Sequence, residues 1–294
     1  MKAAGEFSPQ AGRVPAGRYR LGRVLGRSGW RSTYRATDLK LGCAVAVTEF
    51  RDPGEGCGPR GQFPGGLYAY SVWRERYLRE AGILAACRGI PHIARMCDCF
   101  EEDGASYIVT EFLEGAVLKD RVAENGPMDG RELARSMCGL REALDMVHEK
   151  GIVHCGISPE SVLLTRGGET ALPGFGSARK FGMEDRSALS DSRRRGFAAP
   201  ELFRERDALG PWTDLYSLCA VMYFCLTGER PPHAVDRLIG TGKLESSGEG
   251  AGPVDRELKK IVLKGMSMDR DERYTSAALL RDALRRYLGG EKAA

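Results

Sequence analysis

The chain has 294 residues, 42% of them hydrophobic and 29% charged, and 44 basic side chains against 40 acidic ones leave a formal net charge of +4. That length suits one large domain or two lobes, and the balance excludes a disordered chain. Opposite charges are interspersed, so the small excess does not point to nucleic acid; the longest strongly apolar run, Leu215 to Leu226, falls short of the about 20 residues a membrane span needs.

The opening stretch, Met1 to Gln10, lacks the apolar core of an export signal. Residues 1–17 are rich in Gly, Pro and Ala without periodicity and read as a flexible lead-in. From Arg18 to Phe50, three short β-branched or aromatic segments are separated by Gly- or Asp-containing turns, the pattern of strands. The glycine- and proline-rich stretch 51–69 reads as a loop. Helical periodicity runs from about Ser71 to Cys87, with Val72, Leu78, Ile83 and Leu84 expected on one side. Strands are expected at about 93–100 and 105–112, joined by a turn at Glu101-Glu102-Asp103-Gly104.

After Gly115 the pattern becomes helical. Asp129 is placed to cap a helix through about Glu149, with Leu133, Met137, Leu140, Leu144 and Val147 spaced for one buried face. Short strands and loops fit 152–175, and apolar helices fit 213–227, 255–266 and 275–288. A β-rich first third and a helical remainder, without βαβ alternation, describe an α+β protein. Nine cysteines are scattered, and none forms a C-x-x-C pair. Neither a metal site nor a disulfide framework is therefore expected, and a reducing, cytoplasmic setting is.

Several motifs occur in a telling order. Leu25-Gly26-Arg27-Ser28-Gly29-Trp30-Arg31 lies between two strands. Val45-Ala46-Val47-Thr48 sits on the third, and Glu80 in the helix after it. His154-Cys155-Gly156, Gly174-Phe175-Gly176 and Ala199-Pro200-Glu201 follow, then Trp212-Thr213-Asp214 and Asp271-Glu272-Arg273-Tyr274. This series resembles the eukaryotic-like Ser/Thr protein kinase family over about residues 18–290. The resemblance implies a bilobal kinase-like fold, with a β-rich lobe at 18–113, a mainly helical lobe at 114–290 and a tail at 291–294.

The departures from the family pattern fall on its chemistry. Phosphoryl transfer in the family uses a strand-three Lys, a catalytic-loop Asp, and an Asn and an Asp that hold Mg²⁺. The matching positions here are Thr48, Gly156, Ser161 and Gly174. No neighbour substitutes by a register shift. No Lys occurs between Lys40 and Lys119, no Asp between Asp145 and Asp185, and the single Asn is Asn125. A positioned general base is worth about 10²–10⁴ in rate, or about 3–5.5 kcal/mol of barrier. The expectation is therefore a pseudokinase with no catalytic residue, no metal site and no Mg²⁺. ATP binding, if present, would be weak and metal-independent, and the function would be binding or scaffolding of a protein partner. The alternative is an ATP-using Ser/Thr protein kinase or other transferase that relies on Arg31 and Glu80.

Further roles are implied by the resemblance. Gly26 and Ser28 belong to a degenerate glycine-rich loop. Ala46 and Leu163 would flank an adenine. Thr110 would be a small gatekeeper, with Glu111, Phe112 and Leu113 as the hinge. Leu84, Met96, His154 and Phe175 would stack as a hydrophobic spine resting on Asp214, and Glu201 would pair with Arg273. Arg31 stands where with-no-lysine kinases carry their relocated lysine, so it either reaches Glu80 or a phosphate, or is solvated in a chain with 34 Arg and 10 Lys. Ser187, Ser190 and Ser192 beside Arg193-Arg194-Arg195 read either as a solvated loop or as a docking run for an acidic partner.

Overall fold

The computed structural model describes residues 12–28, 31–51, 66–182, 196–204, 207–244 and 256–289. The chain divides into two compact units. The first comprises residues up to Arg88 together with Ala94–Leu113; the second comprises Gly89–Ile93 and everything from Glu114 on.

In the first unit, β1 (Tyr19–Ser28), β2 (Arg31–Asp38), β3 (Cys43–Arg51), β4 (Met96–Glu102) and β5 (Ala105–Glu111) form one sheet in the order β1-β2-β3-β5-β4, every pair antiparallel. One face buries Tyr34, Val45, Val47, Tyr107 and Val109, as the period-2 alternation of strands requires. The opposite face carries Arg31, Thr33, Ala46, Thr48 and Thr110 in the same registers. The β4–β5 turn places Asp103 at φ 48° and Gly104 at φ 70°, the left-handed pair that an Asp-Gly hairpin turn supplies.

The helix of this unit, α1, spans Gly66–Ala86. It begins five residues before the expected start, because Leu67 to Tyr70 contain no helix breaker and Gly66 is tolerated at an end. The loop expected over 51–69 is corrected accordingly: Arg51 ends β3 and Gly66 opens α1, while 52–65 lie outside the described residues. The expected apolar stripe holds at Ile83 and Leu84 and is corrected at Leu78. Leu78 is exposed, and the buried positions are Tyr77, Glu80, Ala81, Ile83 and Leu84. The side chain of Val72 lies outside the described residues.

The expected flexible lead-in is corrected for residues 12–17. Gly12 N donates to Leu21 O at 2.8 Å, and Leu21 N donates to Arg13 O at 2.9 Å. Arg13 Nη1 donates to Tyr107 Oη at 3.0 Å and reaches Glu49, a carboxylate buried at 1% exposure that also accepts from the Tyr34 and Tyr107 hydroxyls. Residues 1–11 lie outside the described residues.

In the second unit, β6 (Gly115–Val117), β8 (Leu163–Thr165) and β9 (Thr170–Ala171) form a small sheet, and β7 (Ile152–Val153) pairs with β10 (Arg179–Lys180). The helices are α2 (Leu118–Asn125), α3 (Gly130–Glu149), α4 (Pro211–Thr227), α5 (Ala234–Leu238), α6 (Arg256–Gly265) and α7 (Ala277–Gly289). The Asp129 side chain caps α3 by accepting from the amides of Arg131 and Glu132, which satisfies two otherwise orphaned donors. Leu133, Met137, Leu140, Leu144 and Val147 are fully buried along it. A side chain at Gly139 would run into the ring of His92, so only glycine lets these two segments approach. Helix α4 is buried nearly all round, as an apolar run without a polar face must be. Among the described residues no helix is long and apolar enough to cross a membrane.

Candidate functional site

The expected site positions are distributed over both units. In the first, Gly26 and Ser28 lie on β1 opposite Thr33 and Arg31; Gly29 and Trp30 lie outside the described residues. Arg31 turns to α1. Its Nη1 sits 2.8 Å from Glu80 Oε2, and Nη2 donates to Oε1 at 3.2 Å. This fork-to-carboxylate geometry is the strong form of an ion pair. Glu80 is 3% exposed and Arg31 29%, so Glu80 is not an exposed helix carboxylate and Arg31 is not simply solvated.

Thr48, where the family carries its lysine, is half-buried. Its hydroxyl lies 3.2 Å from that of Thr33, and its carbonyl accepts the hydroxyl of Tyr77. The Tyr77 ring stacks on Phe50 at 5.6 Å, and burial raises its phenol well above the usual value. These contacts tie α1 to β3 at the turn that presents Glu80. Ala46 faces Thr110 across β3 and β5, and Thr110 is buried. The Glu111 carboxylate accepts from the Arg95 amide at 2.8 Å, and Arg35 lies over the ring of Phe112 at 5.1 Å; Leu113 is half-buried beyond them. Leu84 is buried and Met96 half-buried in this unit.

In the second unit, Asp214 at the start of α4 is fully buried and organises the catalytic-loop segment. It accepts from His154 N at 2.7 Å and Cys155 N at 2.9 Å, and lies 2.9 Å from His148 Nε2. Cys155 adopts φ 55°, a left-handed conformation costly for a side chain other than glycine, and the Asp214 contacts hold it there. The His154 ring packs edge-on to Phe175 at 4.8 Å. Its Nδ1 accepts from Gly156 N at 3.2 Å, which places the ring proton on Nε2, donated to Gly174 O at 2.9 Å. Both nitrogens of His154 are thus engaged in structure.

Gly156 and Gly174 offer no side-chain oxygen. Ser161 Oγ accepts from Ser158 N at 2.9 Å and donates into the loop, 2.9 Å from Gly156 O and 3.1 Å from Ser158 O. The hydroxyl therefore braces the loop that carries it. The loop's one carboxylate, Glu160, meets Arg230 at 3.2 Å. A magnesium ion is held by several oxygens, carboxylates foremost, and these positions supply no carboxylate, so the residues present do not fit that ion. Leu163 is half-buried on β8, opposite Val117 and Ala171. Glu201 and Arg273 form a forked pair at 2.9 and 3.1 Å, 3% and 1% exposed, with Thr213 Oγ1 donating to the same carboxylate at 2.9 Å. Ser187, Ser190, Ser192 and the Arg193–Arg195 run lie outside the described residues.

Sequence reading missed two participants. His148 lies four residues after Leu144 on the buried face of α3, a spacing that signals burial but not its partner. Arg230 is 70 residues from Glu160, and nothing local announces the contact.

Residues 19–284 match the family model described as the protein kinase domain. The chain is 29% identical over 298 residues to a probable serine/threonine-protein kinase PknB of Bifidobacterium longum, covering 94% of this chain and 40% of that protein. It is 31% identical over 288 residues to a probable serine/threonine-protein kinase of Streptomyces coelicolor, with the same coverage. It is 29% identical over 287 residues to the serine/threonine-protein kinase PknB of Mycobacterium tuberculosis, covering 93% of this chain and 43% of that one. The chain thus spans about two fifths of the length of these relatives. With the motif order, the two units and the Asp214-centred loop, these matches establish that the chain belongs to the eukaryotic-like Ser/Thr protein kinase family.

Proposed function

We propose that this kinase-fold chain is a pseudokinase, a cytoplasmic module that binds or scaffolds a protein partner and transfers no phosphate. The observation that carries this reading is the simultaneous replacement at Thr48, Gly156, Ser161 and Gly174, with Ser161 turned into its own loop. ATP brings several negative charges, which family members neutralise with metal ions and a lysine. None of the four side chains supplies a charge of either sign. Nucleotide binding is then at most weak and independent of metal, through the hinge backbone and the positions Ala46, Thr110 and Leu163.

The Arg31–Glu80 pair favours a second reading, an atypical ATP-dependent Ser/Thr kinase. A guanidinium held beside Glu80 is a phosphate clamp of the right charge, in an orientation of α1 that the pair itself maintains. Thermal-shift titration with ATP, with and without Mg²⁺ or Mn²⁺, and a labelled-phosphate assay separate the two. The pseudokinase reading expects no metal-dependent shift and no transfer; magnesium-dependent stabilisation with turnover abolished in Arg31→Ala would establish the kinase instead.

A further inference from the structure

Away from every motif position, the second unit holds a cavity of about 580 Å³ among α3, α6 and α7, within the about 300–1,000 Å³ typical of small-ligand sites. Among the described residues its polar lining is lopsided: Arg131, Lys260, Lys264 and Arg286 line it against a single carboxylate, Glu257. The sequence places them there. On α6, positions 257, 260, 261 and 264 share one helical face, and on α7 so do 283, 286 and 287. Lys260 and Lys264, four apart, repel each other, and Lys260 reaches Glu257 at 3.2 Å.

The other three cations contact aromatic rings and a backbone carbonyl. Lys264 Nζ lies 5.1 Å from the centre of the Tyr274 ring. Arg131 lies 5.9 Å from that of Tyr287. Arg286 donates its Nε to the Asp282 carbonyl at 3.1 Å. Among the described residues, neither Lys264 nor Arg286 has a carboxylate within 4.0 Å, and the terminal nitrogens of Arg286 carry no hydrogen bond. Between these charges the floor is apolar, formed by Ile261 and Ala283 with the aromatic edges.

We infer that this cavity is an anion-binding site for a phosphate monoester, its phosphoryl group held by Lys264 and Arg286 and its organic part lying on Ile261, Ala283 and the tyrosine rings. The dianion suits an ammonium and a guanidinium fork converging from two helices, and the apolar floor favours an ester over the free ion. The inference goes beyond the pseudokinase reading and shares no residue with it, so either can fail alone.

Calorimetric titration of the full chain, at matched ionic strength, tests it with three probes: inorganic phosphate, phenyl phosphate and a phosphoserine tripeptide. At least one ester is expected to bind saturably at up to millimolar concentration and more tightly than phosphate. The charge reversals Lys264→Glu and Arg286→Glu together are expected to weaken it at least about tenfold, since each removes a charge-assisted contact. Both side chains are exposed, and an unchanged melting temperature confirms that the variant folds. Preference for the tripeptide assigns the phosphate to a protein side chain, and preference for phenyl phosphate to a small metabolite. No saturable binding of either ester, or equal affinity in the folded double variant, overturns the inference.

Discussion

A double-mutant cycle on Arg31 and Glu80 probes the forked ion pair between β2 and α1. The pair is forked, at 2.8 and 3.2 Å, with one partner 3% exposed and the other 29%. Fully exposed pairs contribute about 0–1 kcal/mol, and truncating one partner of a buried pair costs about 3–5 kcal/mol. Charge-assisted hydrogen bonds contribute about 1.5–3 kcal/mol, so the coupling between Arg31→Ala and Glu80→Ala is expected in that middle range. Native-state amide exchange along Tyr77–Ala86 reads it locally, which avoids treating two units as one transition. Each single variant should exchange roughly 10–150-fold faster there, at tenfold per about 1.4 kcal/mol. A coupling below about 0.5 kcal/mol, as for independent sites, would refute the claim that this pair holds α1. The same Arg31→Ala variant discriminates in the ATP titration: affinity unchanged or improved fits a structural cation, whereas lost affinity fits a phosphate clamp.

Other perturbations follow from the geometry. Arg273→Met leaves Glu201 buried without its forked partner and should cost about 3–5 kcal/mol in urea unfolding; a loss below about 1 kcal/mol, the worth of an exposed pair, would show that the pair is not structurally required. Burial pushes the Cys219 and Cys225 thiols up to about 12 from 9.0. The folded state thus favours the protonated thiols, a contribution complete below pH 9 and lost as pH rises toward 12, by about 1.4 kcal/mol per unit per thiol. Cys219→Ala/Cys225→Ala should flatten the alkaline fall in stability, and an equally steep profile would contradict that origin. Finally, Thr48→Lys, Gly156→Asp, Ser161→Asn and Gly174→Asp combined should create magnesium-dependent ATP stabilisation in the melting curve, while Gly174→Asp alone should not. A large metal-dependent shift in the unaltered chain would sink the reasoning from these four positions.

How much was legible in the sequence follows from the range of each interaction. Strand alternation, the Asp129 cap and the buried face of α3 are local, fixed by residues within a turn or two, and they could be read directly. The order of motifs along the chain identified the family, and the expectation drawn at Thr48, Gly156, Ser161 and Gly174 rests on residue identities alone. On α1 the burial of Ile83 and Leu84 was legible, but that of Glu80 was not, because a carboxylate is tolerated there only with a partner from another element. That partner, Arg31, lies 49 residues away; the contacts of residues 12–17 with Glu102, Asp103 and Tyr107 reach further still. Periodicity cannot see them. Side-chain identity alone set which chemical groups the chain possesses, whereas only the tertiary structure decided which charges meet: Coulombic and hydrogen-bonding energies depend on distance in space, and the chain brings remote residues to contact without leaving a local trace.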